Sequence, residues 1–179
     1  MILGPKRLLE LVKKKKLVEG LADRELLNPE GAGFDLRLGE IYKISGTAFL
    51  GETERKTPTV KLLHKYDKKK KKKIVIKPND FYLVTTIESF NIPKNLTVNF
   101  KPRTTTFRSG LFLRTGNVAP GYKGPVTFGL KNEGKVKVTI ELGARFVHAQ
   151  FFEVKGGGSM YRGQWQGGRV TTKKKEKQV

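Results

Sequence analysis

Residues 101–133 hold the side chains best suited to chemistry in this sequence. Three arginines stand beside a run of three threonines: Arg103, Arg108 and Arg114, with Thr104, Thr105 and Thr106. A planar guanidinium group presents paired N–H donors that match phosphate oxygens, and nearby hydroxyl groups add further donors. The cluster therefore predicts a phosphate-binding element. Taken alone, the same residues are also typical of a turn in a basic β-protein.

The parts that follow this cluster arrive in an informative order. Gly110 and Leu111 lead into a hairpin that ends in GYKG (residues 121–124), and an alternating strand comes next. In this order, PRTTTFRSGL and VAPGYKG resemble motifs of the dUTPase and dCTP deaminase superfamily, so they indicate a nucleotide site. The resemblance implies a deoxynucleoside triphosphate, dUTP or dCTP, as ligand. It assigns the triphosphate to Arg103, Thr104, Thr105 and Arg108, the base edge to main-chain groups of Asn117 and Val118, and the deoxyribose to Tyr122, which would exclude a 2′-hydroxyl.

Three further segments extend the resemblance over most of the chain. AGFDLRLG (residues 32–39) is similar to the first superfamily motif, and GARFVHAQFFEV (residues 143–154) is similar to the fourth, with His148 where that motif has Gln. MYRGQWQGGR (residues 160–169) resembles the ending of dCTP deaminases and the glycine-rich arm that closes over the phosphates in dUTPases. By this resemblance Asp35 supports the phosphate and metal end of the site, and Gln164 and Arg169 bind the ligand from the arm.

The acids on which the reactions of this superfamily depend are missing. dUTPases activate water with an Asp at the start of the hairpin turn, and dCTP deaminases use a Glu on the following strand. The matching positions here are Ala119 and Gly129, and neither side chain can transfer a proton. Activity therefore requires a substitute base, for which Asp35 is the predicted catalytic residue and Glu133 the other acid to test. The alternative for Asp35 is a strand-edge acid paired with a lysine.

Three functions are compatible with these observations. The first is hydrolysis of dUTP to dUMP and pyrophosphate, which is favoured because Gly110 and Tyr122 have the shorter spacing of dUTPases. The second is deamination of dCTP, and the third is binding of a deoxynucleotide by a regulatory homologue without catalysis. The resemblance also implies a homotrimer whose sites form between subunits, with Mg²⁺ as cofactor. No side chain is predicted as a metal ligand.

Short alternating segments must position these groups. Apolar and polar residues alternate over residues 34–38, 126–131 and 136–140, and turn residues stand between such segments. This pattern predicts a mostly β protein built as an all-β sandwich or barrel, and the resemblance implies the distorted jelly roll of the superfamily. Pro5 favours the first turn of a short helix near residues 5–19.

The domain organisation follows from the same pattern. We expect one dUTPase-like β domain over residues 1–155, with an exposed insertion near residues 46–73 that is polar and ends in lysines. A glycine-rich C-terminal arm and a basic tail are expected over residues 156–179.

Composition bounds the remaining choices. The chain has 179 residues, 37% of them hydrophobic, which suits one packed domain. Cysteine is absent, so disulfides, a thiol nucleophile and a Cys-ligated zinc are excluded. No long apolar run indicates secretion or membrane spanning, and we expect a cytoplasmic protein. The net charge of +21 is concentrated in lysine runs, which predict at most weak, nonspecific binding of nucleic acid.

Overall fold

The computed structural model describes residues 1–178, and Val179, the last residue of the predicted tail, lies outside them. Within the described part, the helices are α1 (Pro5–Lys15), α2 (Asp23–Leu27) and α3 (Thr104–Arg108). The strands are β1 (Val18–Glu19), β2 (Phe34–Ser45), β3 (Phe49–Leu50), β4 (Glu54–Lys56), β5 (Thr59–Lys65), β6 (Lys73–Ile76), β7 (Phe81–Thr86), β8 (Ser89–Asn91), β9 (Leu96–Pro102), β10 (Leu111–Arg114), β11 (Lys123–Gly124), β12 (Thr127–Asn132), β13 (Val138–Glu141), β14 (Arg145–Glu153) and β15 (Glu176–Lys177). None of the helices in residues 1–178 has the length and apolar character needed to cross a membrane.

Strand β2 is the centre of the main sheet. Its first half pairs with β14, where Asp35 stands opposite His148, and its second half pairs with β7 and β5. The order across the sheet is β10-β12-β7-β2-β14-β9. Val98 of β9 forms a bridge with Val118 in the hairpin after β10, so the sheet nearly closes into a barrel. The predicted mostly β, barrel-like architecture is confirmed.

Gly39 marks the point where β2 changes partners. The register with β7 shifts between Leu38 and Glu40. A Cβ atom at position 39 would lie 2.7 Å from the carbonyl oxygen of Thr86. Since any side chain would collide with this backbone, glycine allows the two strands to approach at the bulge.

Aromatic rings fill the interior of the barrel. Phe100 packs edge to face against Phe128 with 5.0 Å between ring centroids, and Phe128 packs against Phe146 at 5.7 Å. All three side chains are buried, and Leu8 of α1 joins the same core. Burial of each large apolar side chain stabilises the fold by about 1.5–3 kcal/mol.

Helix α1 lies within the region where the sequence predicts a helix, and it ends before that region does. Pro5 occupies its first turn, and Lys16 adopts the left-handed conformation with φ 51°. This conformation ends the helix because it is incompatible with further helical turns. Val18 and Glu19 then form β1, which pairs with β8.

The segment around residues 46–73 is built into two sheets. Strand β5 extends the main sheet along β2, and β3 and β4 form a hairpin over residues 49–56 that we call the insertion hairpin. Strand β15, from the C-terminal end of the described chain, adds to β4 and completes a three-stranded sheet in the order β15-β4-β3. The tail therefore lies on the insertion hairpin.

Candidate active site

A cavity of about 560 Å³ opens between the hairpin after β10, the face of the main sheet and the C-terminal arm. This volume is in the range of small-molecule sites. The residues that line it are Ile44, Thr57, Pro58, Phe81, Leu83, Gly116, Asn117, Val118, Ala119, Tyr122, Val126, Thr127, Tyr161, Trp165, Arg169 and Val170. Asn117, Val118, Tyr122 and Arg169, four of the predicted ligand contacts, are therefore brought together.

Backbone hydrogen bonds hold the hairpin wall in place. The N–H of Val118 donates to the Val98 carbonyl at 2.8 Å, and the N–H of Val98 donates back at 3.0 Å. The hydroxyl of Thr97 adds a third bond, to the Val118 carbonyl at 2.9 Å. Asn117, which precedes Val118, is exposed. The wall that the resemblance assigns to the base is thus fixed by β9 before any ligand binds.

Tyr122 forms an apolar platform beside this wall. Its side chain is buried, its hydroxyl donates to the Pro125 carbonyl at 2.6 Å, and its ring packs edge to face against Tyr161 at 5.5 Å. Burial, with a smaller contribution from Tyr161, raises the pKa of Tyr122 to about 12. The side chain is therefore neutral at physiological pH, and its ring is available for packing against a sugar.

The C-terminal arm covers the cavity from the side opposite the sheet. The N–H of Tyr161 donates to the Pro120 carbonyl at 2.6 Å. The Gln166 amide bonds twice to the hairpin backbone, accepting from the Lys123 N–H at 2.8 Å and donating to the Gly121 carbonyl at 3.0 Å. These three hydrogen bonds to the hairpin backbone seat the arm on the hairpin.

Two arm residues that were predicted to bind the ligand have partners within the chain. Arg169 lines the cavity, and its guanidinium group pairs with Glu176, with Nη1 3.1 Å from Oε2. Gln164 lies outside the lining, where it bonds to Arg55 and donates to the Lys177 carbonyl at 2.8 Å. Arg169 therefore faces the cavity, whereas Gln164 holds the arm.

The predicted phosphate-binding element lies apart from the cavity. Arg103 precedes α3, and Thr104, Thr105 and Arg108 within this helix have exposed side chains. None of these residues is among those that line the cavity. Within α3 the hydroxyl of Thr106 donates to the Phe146 carbonyl at 2.9 Å, which fixes the helix against β14. A single chain thus presents the two predicted parts of the site at different places.

Asp35 lies with this second part, in a cluster formed by Asp35, Arg103, Arg145 and His148. Its Oδ2 is 2.8 Å from Nε of Arg103 and 3.0 Å from Nη1 of Arg145, and its Oδ1 is 2.9 Å from Nδ1 of His148. Both carboxylate oxygens are therefore engaged. The alternative prediction paired Asp35 with a lysine, whereas its partners are these two arginines and the histidine.

The electrostatics of the Asp35 cluster favour a permanent carboxylate. Burial by itself would raise the pKa of Asp35, but the hydrogen bond from His148 and the charges of Arg103 and Arg145 outweigh it and hold the pKa below its ordinary value. A lowered pKa makes a carboxylate a weaker base. The geometry supports a role for Asp35 in orienting arginines, and its catalytic role stays a prediction.

The described lining of the cavity has no carboxylate or imidazole group for proton transfer. Among the described residues that line it there is no Asp, Glu or His. Ala119, at the position of the dUTPase Asp, faces it. At the position of the deaminase Glu, a Cβ on Gly129 would lie 3.0 Å from Cζ of Phe81. The described residues of a single chain therefore provide a binding cavity without a carboxylate or imidazole as general base.

The residues present do not fit a metal ion held by protein side chains. Within residues 1–178, no group of three or more histidine or acidic side chains is placed to bind one. Hard cations such as Mg²⁺ prefer carboxylate, phosphate and water oxygens. Any Mg²⁺ at the cavity would thus depend on oxygens of the ligand.

Several residues of the cavity were missed by reasoning from sequence. Thr57 and Pro58 come from the insertion and Phe81 comes from β7, and none of the three was predicted to contact a ligand. Trp165 could have been found from the sequence, because it is the single tryptophan of the chain and lies in a glycine-rich arm. A large aromatic side chain in such a segment is typical of a residue that packs against a partner surface.

Comparisons with known proteins agree with this fold and with the motifs. A probable deoxyuridine 5′-triphosphate nucleotidohydrolase of Methanothermobacter thermautotrophicus is 31% identical over 142 residues, which are 79% of this chain and 89% of the relative. A dCTP deaminase of Pyrococcus furiosus is 29% identical over 168 residues, 93% of this chain and 95% of the relative. A dUMP-forming dCTP deaminase of Dictyoglomus turgidum is 28% identical and covers 86% of this chain and 81% of its own length.

A solved structure supports the fold independently. The crystal structure of 2′-deoxycytidine 5′-triphosphate deaminase from Agrobacterium tumefaciens superposes with a TM-score of 0.62 at 21% identity, over 84% of this chain. This chain spans about half, 47%, of the length of that protein. A family model described as dCTP deaminase-like matches residues 2–154. Since this match covers most of the 179 residues, the chain belongs to the dCTP deaminase-like family.

Proposed function

We propose that the cavity binds a deoxynucleoside triphosphate, with dUTP as the first candidate, and that the cavity of one chain binds without catalysing a reaction. One observation carries the proposal: hairpin residues Asn117, Val118 and Tyr122 converge with the arm on one cavity that has no acid in its lining. A nucleotide-sized site without a general base supports binding better than turnover.

The walls suit the parts of such a ligand. The backbone of the hairpin at Asn117 and Val118 offers peptide groups to a base edge, and the Tyr122 ring offers an apolar face to a deoxyribose. Phe81 and Leu83 add apolar surface from β7. Tyr122 would exclude a 2′-hydroxyl because its buried ring leaves no polar partner for one.

The triphosphate requires positive charge that the cavity of one chain provides only through Arg169. Arg103 and Arg108 lie elsewhere on the same chain. We propose that a neighbouring copy places its arginine and threonine element at this cavity, in the homotrimer that the resemblance implies. Mg²⁺ would then be held by phosphate oxygens, since no carboxylate of the cavity lining is available.

Hydrolysis of dUTP to dUMP and pyrophosphate is the second candidate. It is favoured by the short hairpin and by the relative named as a probable dUTP nucleotidohydrolase. This reaction needs a base from outside the cavity lining, which in an assembly a second copy would supply. Deamination of dCTP is less favoured, because Gly129 stands in place of the required Glu and a Cβ atom there would crowd the Phe81 ring at 3.0 Å.

The experiment is to incubate the purified protein with Mg²⁺ and, separately, with dUTP, dCTP and UTP. Thermal unfolding reports binding, and chromatography resolves base, nucleotide and pyrophosphate. We expect dUTP at about a hundred times its Kd to raise the Tm by roughly 5–10 °C without turnover, and UTP to leave it unchanged. Release of dUMP and pyrophosphate would establish the second candidate. No stabilisation by any nucleotide would overturn the proposal.

A further inference from the structure

We infer that the insertion hairpin (residues 49–56) and the residues that follow it act as a clasp, which holds the C-terminal arm closed over the cavity of its own chain, and that Arg55 is the positioning residue for Trp165. This inference goes beyond the proposed function, because it concerns how the cavity is closed before any ligand arrives. Three sets of contacts support it.

The first set is aromatic and cationic. The Arg55 guanidinium carbon lies 4.7 Å from the centroid of the Trp165 ring, and that of Arg169 lies 5.9 Å from it. Arg55 also bonds to Gln164, the residue before Trp165. Its Nε is buried without a hydrogen-bond partner among the described residues. Attraction between the cation and the ring thus fixes Trp165 over the cavity.

The second set is a pair of reciprocal hydrogen bonds. The Thr57 N–H donates to the Thr172 hydroxyl at 3.1 Å, and the Thr172 N–H donates to the Thr57 hydroxyl at 2.9 Å. The Thr171 hydroxyl donates to the Pro58 carbonyl at 2.7 Å. Thr172 is buried. Since Thr57 and Pro58 also line the cavity, the same residues form the wall and hold the arm.

The third set is the added strand. In β15, Glu176 pairs with Arg55 and Lys177 with Glu54. The Gln178 N–H donates to the Thr53 carbonyl at 2.8 Å, and Lys175 forms an ion pair with Glu54. A short strand whose backbone groups are paired in this way is a reversible attachment, because its contacts are few and near solvent.

A disulfide cross-link tests whether the arm docks on its own chain. The chain has no cysteine, and the Thr57 and Thr172 hydroxyls are 3.4 Å apart, so Thr57→Cys with Thr172→Cys introduces one defined pair. We expect oxidation without nucleotide to give an internally cross-linked monomer. Thr57→Cys with Ser159→Cys is the control, because Gly158 beside Ser159 bonds to Lys94 instead. Covalent dimers, or no cross-link, would overturn the inference.

Fluorescence tests the role of Arg55. Trp165 is the single tryptophan, so its emission reports the arm alone. We expect Arg55→Ala to shift the emission maximum to longer wavelength and at least to double quenching by acrylamide, with little change in Tm. Arg55→Lys should give a smaller change, and the adjacent exposed Lys56→Ala none. Emission and quenching of Arg55→Ala equal to those of the unmodified protein would contradict the assignment. Both experiments omit nucleotide, so their outcome is independent of the proposed function.

Discussion

The ring of Phe81 would crowd a side chain at Gly129. A Cβ atom built on Gly129 lies 3.0 Å from Cζ and 3.1 Å from Cε2 of Phe81, and 3.3 Å from Cβ of Arg114. These contacts are tighter than ordinary van der Waals separation, and both neighbours are side chains of paired strands. A Glu at this position, where the resemblance to dCTP deaminases implies one, would therefore require Phe81 to move.

Gly129→Glu should therefore fail to produce a deaminase. We expect the free energy of unfolding to fall by about 1–3 kcal/mol, because the new side chain displaces Phe81, and dCTP to remain unconverted. Urea denaturation and chromatography of dCTP incubations measure the two effects. Gly116→Glu is the matched control for stability, since a Cβ there meets no atom within 4 Å. Deamination of dCTP by Gly129→Glu would show that the packing of Phe81 does not prevent a functional Glu at this position.

Ala119→Asp should have the opposite outcome. Ala119 already carries a Cβ and faces the cavity, so an Asp requires no displacement of the backbone. A positioned base contributes about 10²–10⁴-fold to a rate, so we expect Ala119→Asp to release pyrophosphate from dUTP under conditions in which the unmodified protein releases none. Ala119→Asn, which has the same shape but no basic oxygen, should release none. Unchanged turnover despite retained dUTP binding would count against placing Ala119 at the position of the dUTPase Asp.

Asp35→Asn should destabilise the protein and make its free energy of unfolding depend less on pH in the acidic range. The pKa of Asp35 is lowered in the folded state, so its contribution to stability is present above the ordinary Asp pKa of 3.8 and is lost as the pH falls through the folded value. Loss of this buried partner of Arg103 and Arg145 should cost about 3 kcal/mol at pH 7. Urea denaturation measures both effects when it is repeated between pH 2 and pH 7 at intervals of roughly one pH unit.

The control for this prediction is Asp23→Asn, an exposed acid in the first turn of α2. It should change stability by less than about 0.5 kcal/mol. Asp35→Asn with full stability and no dUTP turnover, against an active parent, would instead support the catalytic role predicted from sequence.

Tyr122→Ala should relax the selection of the sugar. Removing the ring leaves space beside the cavity, so UTP should raise the Tm of this variant nearly as much as dUTP does. Tyr122→Phe keeps the ring and should still reject UTP, although loss of the 2.6 Å bond to Pro125 lowers stability by about 1 kcal/mol. If Tyr122→Ala still rejected UTP, Tyr122 would not be the residue that selects deoxyribose over ribose.

The fold was predictable because alternation is a local signal. Phe128 and Leu130 are buried and Thr127 and Gly129 are less so, as their spacing in the sequence predicts. The pairing of Asp35 with Arg103 and Arg145 was not predictable, since it depends on β14 standing between β2 and β9. The motif order suggested that these groups share a site, and only the topology shows which partners each one has.

The candidate site was predictable in part for the same reason. Asn117, Val118 and Tyr122 belong to one hairpin, so a single local motif places all three. Thr57 and Thr172 stand far apart in sequence and meet only because β15 joins β4. A contact of this kind leaves no periodic pattern, and threonine is common in exposed strands without any such role.

The sharing of β2 between both halves of the main sheet has a consequence for amide hydrogen exchange. Because its first residues pair with β14 and its last with β7 and β5, we expect the two halves of the sheet to open together. Amides of β2, β7 and β14 should exchange together, at the free energy of global unfolding, whereas those of β4 and β15 should exchange at a much lower one. The arm can thus open many times during the life of one folded barrel.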